Sequence, residues 1–492
     1  MSIFKDNLFR PDSNLPLYQA LYSHMRAAIL SGELTAGMKL PSTRALAEEL
    51  NISRNTVLNA YRQLLAEGYL KGREGSGTFV AHVLPELLLT TPRSTSRLTR
   101  DSQPPHTESS KPSFSERAKA QIVVSQPPSG GKLPRPFLAE APALDVFPYQ
   151  LWSRLVLRQA RQMPRSDFMY QDSAGYRPLR EAIVAHITVS RQVHCTPEQV
   201  IIVPGSQGAL DLAARMLVDT GDPVWLEDPG YSGARGAFLG AGAHIVPVPV
   251  DREGLMVDIG VARAPQARLV YLTPSHQFPL GVTMSIPRRL ALLDWAKRAN
   301  AYIIEDDYDS EFRFAARPLA TLQGLDNADR VIYIGTFSKV LFPALRIGYM
   351  ILPPALVDPF LKVRRLIDIH SPILEQAVLA EFMIEGHFVR HLRRMRTVYA
   401  ERRNALLEAA RELPLEIDSP EAGIHCVGWL PAGMDDLTLA NKAADYDLNL
   451  TPISSFGIEP LTHKGFLLGY GGFDVREIKD GIKRLGALLR SV

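Results

Sequence analysis

Apolar residues recur at helical spacing over residues 17–31, where Leu17, Leu21, Met25, Ala28 and Ile29 share one face and Gly32 ends the run, so an amphipathic helix is expected. A second, shorter helix is expected from Ser42, behind Pro41, with Leu46 and Leu50 facing inward. A third starts at Ser53, carries Val57, Tyr61, Leu64 and Leu65 toward a core, and stops at Gly68. Only Asn51-Ile52 separates the last two, the spacing of a helix-turn-helix whose second helix can enter a DNA major groove. The outer face of that helix carries Arg54, Asn55, Asn59 and Arg62. From Tyr69 to Val80 the chain alternates and turns on glycines, which predicts a two-stranded hairpin with a basic tip, able to approach phosphates or a minor groove.

Over residues 83–141 the periodicity lapses into Pro, Ser, Thr and scattered charge, as at Pro104-Pro105, Ser109-Ser110 and Pro127-Pro128. This stretch is expected to be mostly an unstructured tether; the alternative is an extended strap anchored by Phe114 and Phe137. After Phe147-Pro148 and Trp152, helices alternate with short apolar runs at residues 200–203, 224–226, 269–272, 302–304, 331–334 and 349–352. Runs of that length, buried on both faces and separated by helices, predict an α/β body with an open, largely parallel sheet that binds ligands at its strand ends. A chain of 492 residues accommodates two to four such domains.

Several strand ends carry chemistry. Thr336-Phe337-Ser338-Lys339 follows the run at 331–334, and Arg346 stands seven residues beyond the lysine. An amine flanked by a hydroxyl and a guanidinium suits a Schiff base with a phosphorylated aldehyde, pyridoxal 5'-phosphate, whose phosphate the neighbours hold. Lys339 by itself reads as a solvated surface lysine; the acidic strand end Glu305-Asp306-Asp307 raises it above that, because a pyridine nitrogen stays protonated only beside a carboxylate. The loop Pro204-Gly205-Ser206-Gln207-Gly208 leads into a helix whose N-terminus can take a phosphate, and Tyr231, after Asp228-Pro229-Gly230, can bring a ring to a flat cofactor. His276, in the loop after Leu272, reads equally well as an ordinary loop residue.

Composition narrows the classes. Hydrophobic residues make up 46% and charged residues 22%, no apolar run reaches the length of a membrane span, and the first residues lack a basic stretch followed by an apolar one, so a cytoplasmic protein is expected. Cys195 and Cys426 show no metal or disulfide spacing, and no metal site is expected. A net charge of +3 is too small to argue for nucleic acid, which leaves that inference to the helix-turn-helix.

Pro41-Ser42-Thr43-Arg44-Ala45-Leu46-Ala47 and Ser53-Arg54-Asn55-Thr56-Val57 resemble the winged helix-turn-helix of the GntR family of bacterial regulators, over about residues 15–82. The resemblance implies that Arg44 and Arg54 contact phosphates or bases and Thr56 a phosphate, with Ser53, Asn55, Asn59 and Arg62 on the same surface and Gly75 and Gly77 at the wing tip. The Gly-Ser-Gln loop, Asp-Pro-Gly-Tyr, Glu-Asp-Asp-Tyr-Asp-Ser-Glu-Phe-Arg and Thr-Phe-Ser-Lys together resemble a fold type I aminotransferase over residues 142–492, and the whole chain resembles the MocR/GabR group of transcription regulators. By that resemblance Lys339 forms the Schiff base, Asp306 faces the pyridine nitrogen, Tyr308 bonds the ring hydroxyl and Tyr231 stacks on the ring. Ser206, Gln207, Thr336, Ser338 and Arg346 surround the phosphate.

The sequence departs from aminotransferases at Leu467, where an arginine usually clamps the substrate carboxylate; Arg235 is a candidate substitute, with His276 as a weaker effector contact. The group implies a homodimer that reads double-stranded operator DNA and responds to an amine, an amino acid or the cofactor itself, with little or no transaminase turnover. The alternatives are a working aminotransferase that carries a DNA-binding domain, and a body that has lost its cofactor and only dimerises.

Overall fold

The computed structural model describes residues 16–73, 76–82, 113–125, 135–139, 141–314, 320–417 and 422–491. The chain divides into two compact units, residues 1–110 and 111–492.

In the first unit, α1 (Leu17–Leu30), α2 (Thr43–Leu50) and α3 (Arg54–Ala66) precede an antiparallel pair, β1 (Leu70–Arg73) and β2 (Gly77–Val80). Ser42 and Ser53 cap α2 and α3, their hydroxyls accepting from the amides of Ala45 at 3.2 Å and Thr56 at 3.1 Å. Asn51, in the left-handed region at φ 54°, turns the chain between the two helices. Leu21, Met25, Leu46, Val57, Tyr61 and Leu64 close the core with Leu70 and Val80 from the hairpin. Leu17 and Leu65, expected inside, are 36% and 37% exposed, because each lies at an end of its helix, past the surface its neighbours cover.

The stretch expected to be mostly unstructured contains ordered segments. Residues 116–124 form a helix, α4 (Glu116–Val124), capped by the Ser115 hydroxyl, and Gln121 Nε2 donates to the Gly236 carbonyl at 3.0 Å. Proline-rich composition averaged over the whole stretch hid a segment, Glu116 to Val124, that contains neither Pro nor Gly. Phe137 is fully buried and bridges to Gly469, whereas Phe114 is 49% exposed, so of the two proposed anchors only Phe137 holds.

The body is built on an eight-stranded sheet in the order β3-β10-β9-β8-β7-β4-β5-β6. Its strands are β3 (Val200–Val203), β4 (Pro223–Asp228), β5 (His244–Asp251), β6 (Gly254–Leu255), β7 (Leu269–Leu272), β8 (Tyr302–Asp307), β9 (Val331–Thr336) and β10 (Gly348–Ile351). From β9 through β8, β7 and β4 to β5 the neighbours are parallel; β10 runs antiparallel to both β3 and β9. Helix α5 (Gly205–Leu217) and helix α6 (Ser232–Ala241) pack Leu210, Ala213 and Phe238 on one face of the sheet. On the other, Trp225 stacks on Trp295 of α7 (Ile286–Ala299), ring centroids 3.8 Å apart.

Two elements were not expected. Strand β5 reads His-Ile-Val-Pro-Val-Pro-Val-Asp, and its prolines disguise the alternation that buries Val246 and Val248. A separate antiparallel sheet, β11 (Glu416–Ile417), β12 (His425–Trp429), β14 (Gly465–Gly469) and β13 (Thr451–Pro452), is assembled from pieces far apart in sequence. No described helix is long and apolar enough to cross a membrane.

Candidate functional site

At the end of β8 successive carboxylates point to opposite sides, as strand alternation requires. Asp307 accepts from Arg191 Nε at 3.0 Å and from the Tyr333 hydroxyl at 2.5 Å, inside the core. Asp306 borders a cavity of about 170 Å³; its Oδ2 accepts from the Tyr271 hydroxyl at 3.0 Å, and its buried Oδ1 has no partner among the described residues. Burial pushes the Asp306 carboxyl up from 3.8 to about 7, with Asp307 and Asp309 adding to the rise and Tyr271 and Lys339 opposing it.

The same cavity gathers Lys339, Tyr308, Tyr231, Ser206, Gln207, Thr336, Ser338 and Arg346 from the ends of β4, β8 and β9 and the start of α5. Arg346 Nη2 donates to the Pro204 carbonyl at 2.9 Å, which lays the guanidinium over Gly205. A Cβ at Gly205, where φ is +78°, would stand 3.2 Å from that group. Ser338 N donates to Thr336 Oγ1 at 3.2 Å, while Ser338 Oγ is buried without a partner among the described residues. A helix N-terminus, a guanidinium and an orphan hydroxyl suit a phosphate at one end of the cavity. At the other end, the orphan carboxylate oxygen of Asp306 suits a protonated ring nitrogen. The residues present therefore fit pyridoxal 5'-phosphate.

Sequence reasoning missed the layer beneath. Tyr308 and Asp309 both meet His276 Nδ1, each at 3.0 Å, so His276, only 2% exposed, lies behind Tyr308 and is not part of this cavity's lining. His425 of β12 does line the cavity, its ring parallel to that of Tyr308 within 8°. Burial, with His276 and Lys339 nearby, holds His425 well below the ordinary histidine range, which keeps it neutral. Glu227, accepting from the Thr273 amide at 3.0 Å and hydroxyl at 2.8 Å, is pushed up to about 7 by burial. Neither His425 nor the role of Glu227 had a local signal: a lone histidine inside Gly-Ile-His-Cys-Val-Gly is an ordinary strand residue until the small sheet sets it against Tyr308.

A wider cavity of about 1070 Å³ opens beside the first and shares Ala139, Gln207, Tyr231 and Phe278 with it. Leu467 of β14 lies in its wall, and α4 contributes Gln121. Arg235 lines neither cavity; it donates to the Gly457 carbonyl at 3.2 Å and faces Asp228. No cluster of described His, Cys, Asp or Glu side chains is arranged to hold a metal ion.

In the first unit Arg54, Asn55, Asn59 and Arg62 are exposed along α3. Thr56 is half-buried, its hydroxyl 2.8 Å from that of Ser53. Arg44 is exposed on α2 in an ion pair with Glu48 at 3.2 Å. Gly77 starts β2 at φ +112°; Gly75 lies outside the described residues. Lys39, which sequence reasoning passed over, bridges to Phe79 and adds a cation to the hairpin.

Residues 149–467 match the family described as aminotransferase class I and II, and residues 17–80 match the bacterial regulatory proteins of the gntR family. The probable rhizopine catabolism regulatory protein MocR of Rhizobium meliloti is 42% identical across 96% of this chain and 94% of its own length. The chain belongs to the MocR group of GntR-type regulators. The HTH-type transcriptional regulator TauR of Rhodobacter capsulatus is 31% identical across 98% of this chain and 98% of its own length. Among solved structures, LysN, an α-aminoadipate aminotransferase of Thermus thermophilus complexed with N-(5'-phosphopyridoxyl)-L-leucine, superposes with a TM-score of 0.67 at 31% identity, covering 72% of this chain and 92% of that one. The regulators match end to end where the enzyme covers only part, which favours a transcription regulator over a transaminase with an added domain. The body is an aminotransferase-type, pyridoxal-phosphate-dependent fold, and the front is a DNA-binding domain.

Proposed function

We propose that this regulator holds pyridoxal 5'-phosphate on Lys339, senses a small amine in the adjoining cavity, and changes its hold on operator DNA in response. The working division is a DNA-reading front over residues 15–82, a tether over 83–141 whose helix α4 docks on the body, and an effector body over 142–492. The observation that carries the reading is the convergence of three groups on one cavity: the Lys339 amine and, without partners among the described residues, Asp306 Oδ1 and Ser338 Oγ.

When bound, the cofactor supplies an aldehyde that condenses with primary amines and a ring that withdraws electrons. The chain's own residues do the rest. Asp306 holds a proton at the ring nitrogen, and Tyr271 fixes that carboxylate in place. Tyr308, backed by His276 and Asp309, presents its hydroxyl to the ring edge, while Tyr231 covers a ring face. Ser206, Gln207, Thr336, Ser338 and Arg346 grip the phosphate, and neutral His425 limits the charge around the ring. Leu467 offers no charged clamp for a substrate carboxylate, consistent with a sensor of little or no turnover.

On the front, Arg44, Arg54, Thr56 and the hairpin at Gly77 contact the duplex, with Asn55, Asn59 and Arg62 toward base edges. Two copies reading paired half-sites make a homodimer the natural assembly. Coupling follows if the amine prefers one arrangement of the chain over another, and α4, part of the segment that leads to the front, lines the effector cavity.

The test is the visible spectrum of protein loaded with the cofactor and desalted, beside Lys339→Ala treated identically. The expected result is a yellow band that the substitution abolishes; two colourless proteins overturn the cofactor reading. Operator affinity measured with and without a panel of amines then tests the sensing step, and identical affinities throughout overturn it.

A further inference from the structure

The larger cavity has an uneven chemistry. Among the described residues none of those lining its roughly 1070 Å³ carries a charge. Its floor is apolar, with Leu467 only 1% exposed and packed against Phe278, Ile453 and Phe456. Its polar groups are neutral: Gln121 from α4, Asn441, Asn449, Thr451 and Ser455. Three cations on neighbouring segments are engaged elsewhere. Lys464 lies 3.9 Å from Asp435 and from Asp436, Arg263 pairs with Glu459 at 3.0 Å, and Arg235 is bonded to the Gly457 carbonyl.

A carboxylate entering here meets no cation among the described residues, and neutral amides and hydroxyls offset the water it sheds only in part. An uncharged hydroxylated or ether-bearing body finds both donors and acceptors from the Asn, Gln, Ser and Thr side chains, and an apolar floor for its carbon skeleton.

We infer that the effector is a primary amine without a carboxylate, the rest of it neutral and polar. This rests on the reading of Lys339 as the cofactor lysine, and the experiment separates the two. Cofactor-loaded protein is titrated with two matched pairs, 2-amino-1,3-propanediol against serine and glucosamine against glucosaminic acid, and the concentration that half-shifts the visible band is recorded. The neutral member of each pair is expected to act at a concentration at least about tenfold lower, the scale of one unpaired charged group.

Leu467→Arg is expected to reverse the order. Because Leu467 is buried and the variant can misfold, Asn441→Arg, at an exposed position of the cavity wall, is the second probe; it is expected to lower the half-shift concentration for the acids and so narrow or reverse the gap within each pair. A wild-type preference for the acids overturns the inference, as does a cofactor band that no amine of either class moves. Both leave the cofactor reading intact, whereas a protein that never acquires the band defeats that reading first and this inference with it.

Discussion

The front and the body place their working groups in opposite surroundings. On α3 the side chains proposed to read DNA stand in water, so each contributes by itself and is weakened by salt. Around Lys339 the working groups are buried and depend on one another: Asp306 reaches about 7 chiefly because burial strips its water, Tyr271 fixes its carboxylate, and Tyr308, His276 and Asp309 form a chain in which each fixes the next. An exposed surface of this kind tolerates piecemeal change, whereas a buried one responds as a unit.

The widest expected effect breaks the buried side outright. Lys339→Ala should abolish retention of the cofactor band after desalting, while operator affinity measured without cofactor stays within about twofold of the parent, since no residue of the front is altered; a retained band sinks the assignment. Next comes the proton on Asp306. In the cofactor-free protein its folded carboxyl stays protonated to about 7, while the unfolded one ionises from 3.8. The folded state thus binds the extra proton between those values, and stability falls as pH rises through that window, by about 1.4 kcal/mol per unit, until it levels above 7. Asp306→Asn, which still accepts from Tyr271, removes this loss. Denaturant melts of the two proteins at pH 4, 5.5, 7 and 8 should therefore show the variant gaining on the parent by a few kcal/mol up to pH 7 and no further; a constant difference shows that burial leaves the carboxyl unshifted.

The same contrast explains what could be read in the sequence. The front was legible almost entirely, because a capped helix, a short turn and a glycine hairpin are local patterns, and errors were confined to helix-end residues such as Leu17 and Leu65. In the body, apolar runs located most of the central strands, and the motifs at their ends carried Lys339, Asp306 and Tyr308 to one cavity. Strand alternation showed that Asp306 and Asp307 must diverge, but which one faces the cavity depends on Arg191 and Tyr333, distant in sequence. For the same reason His425 and Tyr271 were invisible, and His276 and Arg235, chosen for their position after a strand or motif, lie outside both cavities. Helix α4 was hidden by its neighbours' composition, although Ser115 followed by an unbroken run to Val124 is a legible helix start when read alone.

On the exposed side the expected effects are smaller. Arg54→Ala should weaken operator binding by about 1–3 kcal/mol if the side chain reaches a base edge. If it meets a phosphate instead, binding weakens across all sequences and the salt slope drops by about one. Affinities at three salt concentrations on operator and random duplexes decide between these, and equal affinity for variant and parent on both duplexes removes Arg54 from the interface. Cofactor uptake should be unchanged.

The smallest change asks whether the two regions are also independent in stability. Ser42 caps α2 through a 3.2 Å bond from the Ala45 amide, a contact within the front. Ser42→Ala leaves that amide without its cap and should cost about 1 kcal/mol. In a unit of this size that lowers the front's unfolding midpoint by about 4–8 °C. The body's midpoint, followed through the cofactor band, should stay where it is, because the cofactor reports only the surroundings of Lys339. Should both midpoints fall together, the front and body unfold as one cooperative unit, and a DNA-side substitution could then reach the buried site without touching it, which is the behaviour the contrast between the two regions argues against.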